Sequence, residues 1–243
     1  MIDPLLLSSV KVLTFNSGQP LTNASGFLFE RGYRLFLVTS RHVVRDEDSQ
    51  HFPDVVRIAL HTDPDNIAQL MDFEIPLYHE GQSLWRQGND LAGDIDVAVI
   101  TLERTALPAD LVCHAFTVDH LPGESEVEVG TELLIVGFPL GFHDALHQLP
   151  VVRHATLSSC FDLRFQGQGY FLTDARTHRG MSGAPVVARM HGPLAEKCAL
   201  PWMLLGIHSS RLDVGTRDAT IDEELGLNCA WFADVLLALT EFS

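Results

Sequence analysis

Ser182 is the residue of this chain best placed to act as a nucleophile. It lies in the stretch THRGMSGAPVV, with Gly180 and Gly183 close on either side. A serine hydroxyl is weakly nucleophilic at neutral pH, so it needs a histidine to accept its proton and a carboxylate to orient that histidine. It also needs donors for the developing oxyanion, often backbone N–H groups near a glycine. The glycines suit a structural turn equally well, and a turn serine is the alternative interpretation.

The order of serine, histidine and acid along the chain separates the known kinds of catalytic triad. The α/β-hydrolase order places the acid and the histidine after the serine, and the only acid between Ser182 and His208 is Glu196. The subtilisin order needs the aspartate first, and both of these folds need an alternation of strands and helices that the sequence lacks. The order His42, Asp96, Ser182 is satisfied without difficulty, and we take these three residues as the candidate triad.

Two apolar strands would position the histidine and the acid. His42 comes directly after the apolar run LFLVT, where a single helical turn could present it. Asp96 opens the apolar run VAVITL, so its carboxylate would lie at the mouth of a buried strand. Asp94 lies two residues earlier on the same strand face and is the competing acid. We prefer Asp96 because it directly adjoins the apolar run.

The remaining regular signal is also mostly strand-like. Short runs rich in Val, Ile, Leu and Phe, bounded by Gly, Pro, Asp or Asn, predict ten strands. These are Val10–Phe15, Gly26–Phe29, Arg34–Thr39, Val55–His61, Asp96–Leu102, Glu132–Phe138, Val151–Leu157, Tyr170–Thr173, Ala184–Ala188 and Met203–His208. Near-helical spacing predicts one helix over Cys229–Phe242. Many short strands with one terminal helix indicate an all-β barrel or sandwich.

Three stretches carry a resemblance to a known family. TSRHVV around His42, DVAVI from Asp96 and GMSGAP around Ser182 resemble the motifs of the chymotrypsin/trypsin superfamily of serine proteases, and LLIVGFPLG resembles the opening of the second barrel in bacterial members. The resemblance implies an all-β fold of two six-stranded antiparallel β-barrels with a C-terminal helix. Residues 1–110 would form the first barrel, 111–128 a linker, and 129–243 the second barrel and the helix.

The resemblance also implies a mechanism. His42 would take the proton of Ser182 as the hydroxyl attacks a peptide carbonyl, while Asp96 orients the imidazole and stabilises its charged form. The backbone N–H groups of Gly180 and Ser182 would form the oxyanion hole. Ser209 would hydrogen-bond Asp96, as its family counterpart does. This chemistry requires neither a metal nor an organic cofactor.

Residues around the expected specificity pocket indicate the side chain that precedes the cleaved bond, the P1 residue. By family resemblance Thr177 and Arg176 lie at the pocket wall and floor, and the strand LLGIHSSR forms another wall. His208 stands where glutamyl endopeptidases carry a histidine, and a hydroxyl with an imidazole can bind a carboxylate or an amide. We therefore expect Glu or Gln at P1, and the alternative is a locally bonded core histidine. For Arg176 the two alternatives are binding of an acidic side chain and exposure to solvent. Ser210 departs from the family's frequent aromatic residue.

Composition limits the partners. The chain of 243 residues has 16 Lys and Arg against 32 Asp and Glu, a formal charge of −16, which disfavours nucleic acid and anionic membranes. No apolar stretch is long enough for a transmembrane helix and no signal segment is recognisable, so we expect a cytoplasmic protein. The expected partners are a polypeptide substrate and a regulatory protein. The cysteines show no metal-site spacing and are expected to be reduced thiols. They are Cys113, Cys160, Cys198 and Cys229.

The segment HDALH approaches the HExxH zinc motif, with His143 and His147 in the positions of the two histidines. Asp144 replaces the glutamate, and nearby Pro and Gly disfavour a helix, so we expect no metal site.

Met181 stands where zymogens of the family carry an aspartate that pairs with a new N-terminus. Since methionine cannot form that ion pair, we expect no activation of this kind. The alternative function is an inactive trypsin-like fold that binds peptides or proteins.

Overall fold

The computed structural model describes residues 2–123, 127–192, 195–196, 198–211 and 226–241. The first sheet contains eight strands in the order β5-β4-β1-β2-β3-β9-β8, with β10 parallel to β2. The strands of this half are β1 (Ser9–Asn16), β2 (Gln19–Arg31), β3 (Arg34–Thr39), β4 (Val55–His61), β5 (Leu70–Pro76), β6 (Tyr78–His79), β7 (Gln82–Ser83), β8 (Trp85–Asp90), β9 (Gly93–Leu102) and β10 (Phe116–Thr117). β6 and β7 form a separate hairpin. Helix α1 (Arg41–Val44) follows β3.

The second sheet contains six strands in the order β12-β11-β14-β15-β16-β13, and every pairing within it is antiparallel. Its strands are β11 (Glu132–Gly137), β12 (Val151–Thr156), β13 (Tyr170–Thr173), β14 (Pro185–Arg189), β15 (Trp202–Arg211) and β16 (Asn228–Phe232). Helix α2 (Val235–Leu239) follows β16. Short 3₁₀ helices cover Pro4–Leu7, Arg104–Ala106, Val118–His120, Pro139–Gly141 and Phe165–Gly167.

Alternating apolar residues explain why these segments form curved sheets around cores. In β4, for example, Val56, Ile58 and Leu60 are buried while the residues between them are less so, which is the period of a strand with one buried face. One buried cluster fills the first sheet and another fills the second. A third cluster joins the two sheets, with Phe27 and Val97 from the first against Leu204 from the second. This shared core holds the two halves of the candidate site together.

The all-β fold class with a C-terminal helix is confirmed. The second sheet has the six antiparallel strands expected from the sequence, whereas the first has eight strands, and one of its pairings is parallel. The predicted helix was wrong in extent. Cys229–Phe232 belong to strand β16, which pairs with β13 on one side and β15 on the other. A strand between two neighbours with buried residues on both faces is apolar throughout, so its sequence does not alternate and imitates a buried helix. The helix itself covers only Val235–Leu239, and Phe242 lies outside the described residues.

The domain boundaries at 110 and 128 stay a prediction. The predicted linker contains strand β10, which pairs with β2 of the first sheet, and His120, whose Nε2 lies 3.4 Å from the Cys198 Sγ. All four cysteines are unpaired. Among the described helices, none has the length and apolar character needed to cross a membrane.

Candidate active site

His42 and Asp96 meet because β3 and β9 are neighbours. Thr39 at the end of β3 pairs with Ala98 of β9, so Asp96 lies beside the start of α1, which carries His42. Asp96 Oδ2 lies 2.8 Å from His42 Nδ1, and Asp96 Oδ1 accepts the backbone N–H of His42 at 2.9 Å. The buried Val43 and Val44 anchor the turn behind the histidine. The carboxylate therefore fixes both the ring and the backbone of the residue that it contacts.

The electrostatics of this pair favour an ionised acid and a more basic histidine. Burial lowers the pKa of His42, but the hydrogen bond that His42 donates to Asp96 and the charge of Asp96 outweigh burial, and the net pKa is raised above its ordinary value. Burial alone would raise the pKa of Asp96, yet the hydrogen bonds and charge of His42, together with the Ser209 hydroxyl, lower it below its ordinary value. Asp96 thus stays a carboxylate while His42 gains basicity, which suits the orienting and accepting roles.

Ser182 lies in the turn that leads into β14, and Ser209 of β15 connects it to Asp96. The Ser209 hydroxyl donates to Asp96 Oδ2, and the Ser209 carbonyl accepts the Ser182 hydroxyl at 3.0 Å. No hydrogen bond joins the Ser182 and His42 side chains, both of which the structure describes. The nucleophile candidate therefore rests on a neighbouring carbonyl, and a rotation of its side chain is needed before it can donate to the imidazole.

The segment Arg179–Gly183, called here the serine loop, has a tightly constrained backbone. Gly180 has a φ of +93°, and a Cβ there would lie 2.5 Å from the Phe138 carbonyl oxygen, so only glycine fits. The Arg179 carbonyl accepts the Leu140 N–H at 2.6 Å. Within the described ranges, neither Gly180 N–H nor Ser182 N–H donates to another residue. These two N–H groups remain available to a ligand oxygen.

The Met181 side chain points into the core of the second sheet. It is fully buried in the core cluster of that half and lies against Gly137, whose added Cβ would come within 3.1 Å of the Met181 Sδ. Its backbone N–H donates to the His178 carbonyl. An apolar contact in the core therefore anchors the serine loop.

The residues expected around the P1 pocket separate into a buried and an exposed set. Thr177 is buried, and its hydroxyl donates to Asn228 Oδ1 at 2.6 Å. His208 pairs with Ala230 across β15 and β16, and Asn228 is two residues from Ala230, so their side chains share one face of the sheet. His208 is 2% exposed, its Nδ1 has no partner among the described residues, and burial with the nearby charge of His42 lowers its pKa to about 4.

Other candidates lie outside this cluster. Arg176 and Ser210 are exposed. Asp94 is also exposed, and its Oδ1 accepts the Asn89 side-chain amide, whereas the carboxylate that His42 contacts is that of Asp96.

The HDALH segment, residues 143–147, forms a loop. Its two histidines make separate contacts: His143 Nδ1 lies 2.5 Å from the Gly141 carbonyl oxygen, and His147 Nδ1 lies 2.7 Å from Asp144 Oδ2. The two rings therefore use their Nδ1 atoms for local contacts and do not share a partner.

Two residues that contact the cluster were not predicted from the sequence. Asn228 donates through Nδ2 to the Ala175 carbonyl at 2.6 Å while accepting from Thr177, so it fixes the hydroxyl of that residue. Ser25 of β2 is fully buried and contacts the serine loop. An isolated polar residue at the head of an apolar strand was the available signal for Asn228. Ser25 carried no signal, because its partners are distant in sequence.

Comparison with known proteins gives the family. Residues 24–194 match the trypsin-like peptidase domain. No curated protein matches the chain. Among solved structures, a serine endoprotease from Yersinia pestis superposes with a TM-score of 0.55 at 17% identity, over 97% of this chain and 62% of that one. The chain thus spans less than two thirds of that protein, and at this identity the likeness concerns the fold. Because the family match covers most of the chain, this protein belongs to the trypsin-like peptidase family.

Proposed function

We propose that this protein is a serine endopeptidase that cleaves polypeptides through an acyl-enzyme, with His42, Asp96 and Ser182 as its triad. The observation that carries the proposal is the hydrogen bond between His42 and Asp96, together with Ser209, whose hydroxyl donates to Asp96 and whose backbone carbonyl accepts the Ser182 hydroxyl. A turn serine with no chemical role would not need a buried, ionised carboxylate two hydrogen bonds away.

In the proposed reaction, the Ser182 hydroxyl rotates from the Ser209 carbonyl to His42 Nε2, which accepts its proton as Oγ attacks the substrate carbonyl. The charged imidazolium is stabilised by Asp96. The oxyanion receives hydrogen bonds from Gly180 N–H and Ser182 N–H, which have no acceptor among the described residues. His42 then protonates the leaving amine, and a water activated in the same way hydrolyses the ester.

Labelling by a fluorophosphonate probe tests this proposal, because the probe reacts with an activated serine and needs no knowledge of the substrate. Wild-type protein should be labelled at Ser182, and Ser182→Ala and His42→Ala should not. Circular dichroism and thermal unfolding establish that each sample is folded. A folded wild type that resists the probe would contradict the peptidase proposal and favour the inactive peptide-binding module.

For the P1 residue we infer a preference for Gln, and less for Glu. Thr177 uses its hydroxyl proton on Asn228, so toward a substrate its oxygen is an acceptor. His208, with a pKa of about 4, is neutral at physiological pH and offers no positive charge to a carboxylate. A side-chain amide has an N–H₂ group for the hydroxyl oxygen and a carbonyl for an imidazole N–H, whereas a carboxylate would leave the hydroxyl oxygen facing a negative charge.

Cleavage of matched peptides that differ only at P1 tests the pocket. His208→Ala and Thr177→Val should each lower kcat/KM selectively for Gln, by about tenfold, the worth of one hydrogen bond. Thr177→Ser keeps the hydroxyl and should retain the preference. Equal losses for Gln, Glu and Leu peptides would contradict the pocket, and faster cleavage after Glu than after Gln would contradict the argument from the neutral imidazole.

A further inference from the structure

Ser25 is a buried residue of the first sheet that makes three hydrogen bonds near the serine loop of the second half. Its hydroxyl donates to the Gly180 carbonyl at 2.7 Å and accepts the Phe138 N–H at 3.0 Å. Its own N–H donates to the Ser182 carbonyl at 2.9 Å. Ser25 is fully buried, so water does not compete for these contacts. Two carbonyls of the serine loop are thus bound by a single residue more than 150 positions earlier in the chain.

The surroundings of Ser25 leave the hydroxyl little freedom. A Cβ added to Gly137 would lie 2.5 Å from Ser25 Oγ, so the glycine at the end of β11 provides the space that the hydroxyl fills. The Thr39 hydroxyl binds the Ser25 carbonyl at 2.8 Å and fixes its backbone. The hydroxyl therefore lies in a closed slot with one donor, Phe138 N–H, and one acceptor, the Gly180 carbonyl.

These contacts fix the backbone that adjoins the oxyanion donors. In a planar trans peptide the N–H points opposite to the preceding carbonyl, so a carbonyl held in place also orients the N–H that shares its plane. Leu140 N–H holds the Arg179 carbonyl and thereby directs Gly180 N–H. Ser25 holds the next carbonyl along, that of Gly180, and the carbonyl of Ser182. Ser25 thus holds the two peptides that follow the oxyanion donors, Gly180–Met181 and Ser182–Gly183.

We propose that the Ser25 hydroxyl is a positioning residue that keeps the serine loop in its oxyanion-binding conformation, a role that rests on the peptidase function proposed above. Ser25 acts through Gly180 and Ser182 and does not touch the substrate. The loop is then held from the first sheet, and its conformation requires no ion pair at position 181. Removal of the Ser25 hydroxyl should therefore lower kcat, although Ser25 lies outside the triad.

Ser25→Ala tests the proposal. It removes the hydroxyl and leaves the Gly180 carbonyl without its donor. We expect kcat to fall by about 10- to 100-fold, which approaches the loss of one oxyanion donor, while KM changes less than threefold. The midpoint of the acid limb of the pH profile should stay unchanged, because Ser25 does not contact His42 or Asp96. Ser25→Thr restores a hydroxyl and should recover most of kcat.

Ser9→Ala is the matched control. Ser9 lies on the neighbouring strand β1, is 5% exposed, and its hydroxyl has no partner among the described residues. It reports the effect of removing a buried serine hydroxyl from the same sheet, and its kcat should stay within twofold of wild type. If Ser25→Ala does not fold, Ser25→Cys replaces it, since the thiol fills the slot but donates poorly.

The outcomes separate the two proposals. An unlabelled, inactive wild type overturns the peptidase function. An active wild type with a Ser25→Ala variant whose kcat is within twofold, or no lower than that of Ser9→Ala, overturns the role of Ser25 alone. A KM that rises while kcat is retained would likewise overturn it, because the contact would then act on substrate binding. A selective kcat loss recovered in Ser25→Thr supports it.

Discussion

Asp96→Asn keeps the shape of the side chain but exchanges one acceptor oxygen for an NH₂ group. In the wild type Oδ1 accepts the His42 backbone N–H, and Oδ2 faces both His42 Nδ1 and the Ser209 hydroxyl. The asparagine must place its NH₂ at one of these positions. Opposite the backbone N–H, two donors would face each other and neither could rotate away. The NH₂ therefore takes the Oδ2 position, where Ser209 can turn and His42 can change tautomer.

An asparagine NH₂ group at the Oδ2 position prevents His42 from acting as the base. An NH₂ group at Oδ2 requires Nδ1 to accept, so the imidazole proton moves to Nε2, the atom that must receive the proton of Ser182. Loss of the correct tautomer costs about 10⁴-fold in kcat, or about 5.4 kcal/mol of transition-state stabilisation. The pKa of His42 should also fall, because burial lowers it and the compensating charge of Asp96 is gone. The acid limb in the pH profile of the residual activity should thus move to lower pH.

The assay compares kcat/KM for a fluorogenic peptide, and the rate of fluorophosphonate labelling, over a range of pH. Asp94→Asn is the matched control, since it makes the same chemical change two residues away on the same strand at an exposed position. It should stay within twofold of wild type. Asp96→Asn activity within tenfold of wild type, or an equal loss in Asp94→Asn, would refute the tautomer argument and the choice of Asp96 as the acid.

Three further outcomes are expected. Because His42 acts as a base only when it is neutral, kcat/KM should fall as the pH drops through the raised pKa of His42. A second ionisation in this profile between pH 5 and 8 would contradict a neutral His208. Met181→Asp buries a carboxylate in the core and should lower the free energy of unfolding by at least about 3 kcal/mol in urea titration, whereas a change below about 1 kcal/mol would show that the side chain is not anchored there. Gly180→Ala should reduce kcat by about 10²-fold or more, while Gly18→Ala, at a similar φ but with open space around its Cβ, should retain activity; similar losses in both would attribute the effect to backbone strain alone.

The sequence predicts the strands that bury one face and the residues that follow them. Arg34–Thr39, Val55–His61 and Tyr170–Thr173 were predicted with the observed bounds, because each is a short apolar run between turn residues. β5 and β8 were missed. β5 and β8 lie at the two ends of the strand order of the first sheet. Their residues are therefore mostly exposed or half-buried, and their apolar signal is weak.

The candidate site was predictable to the extent that its residues lie in local motifs. His42, Asp96 and Ser182 each adjoin an apolar run, and the structure brings the first two into contact and links the third through Ser209. The hydrogen bond from Thr177 to Asn228 was not predictable, because it joins segments that meet only after the second sheet has formed. For the same reason the sequence left open whether Thr177 donates or accepts, which decides between an amide and a carboxylate.

The serine loop has a fixed conformation because both halves of the fold hold it. From the second sheet, Met181 anchors it in the core and the Gly183 N–H donates to the His208 carbonyl at 2.7 Å. From the first sheet, Ser25 binds two of its carbonyls. Separation of the two halves would remove the contacts of Ser25 and leave those of Met181. Phe27→Ala weakens the core between the sheets. It should therefore lower kcat in a protein whose second half remains folded.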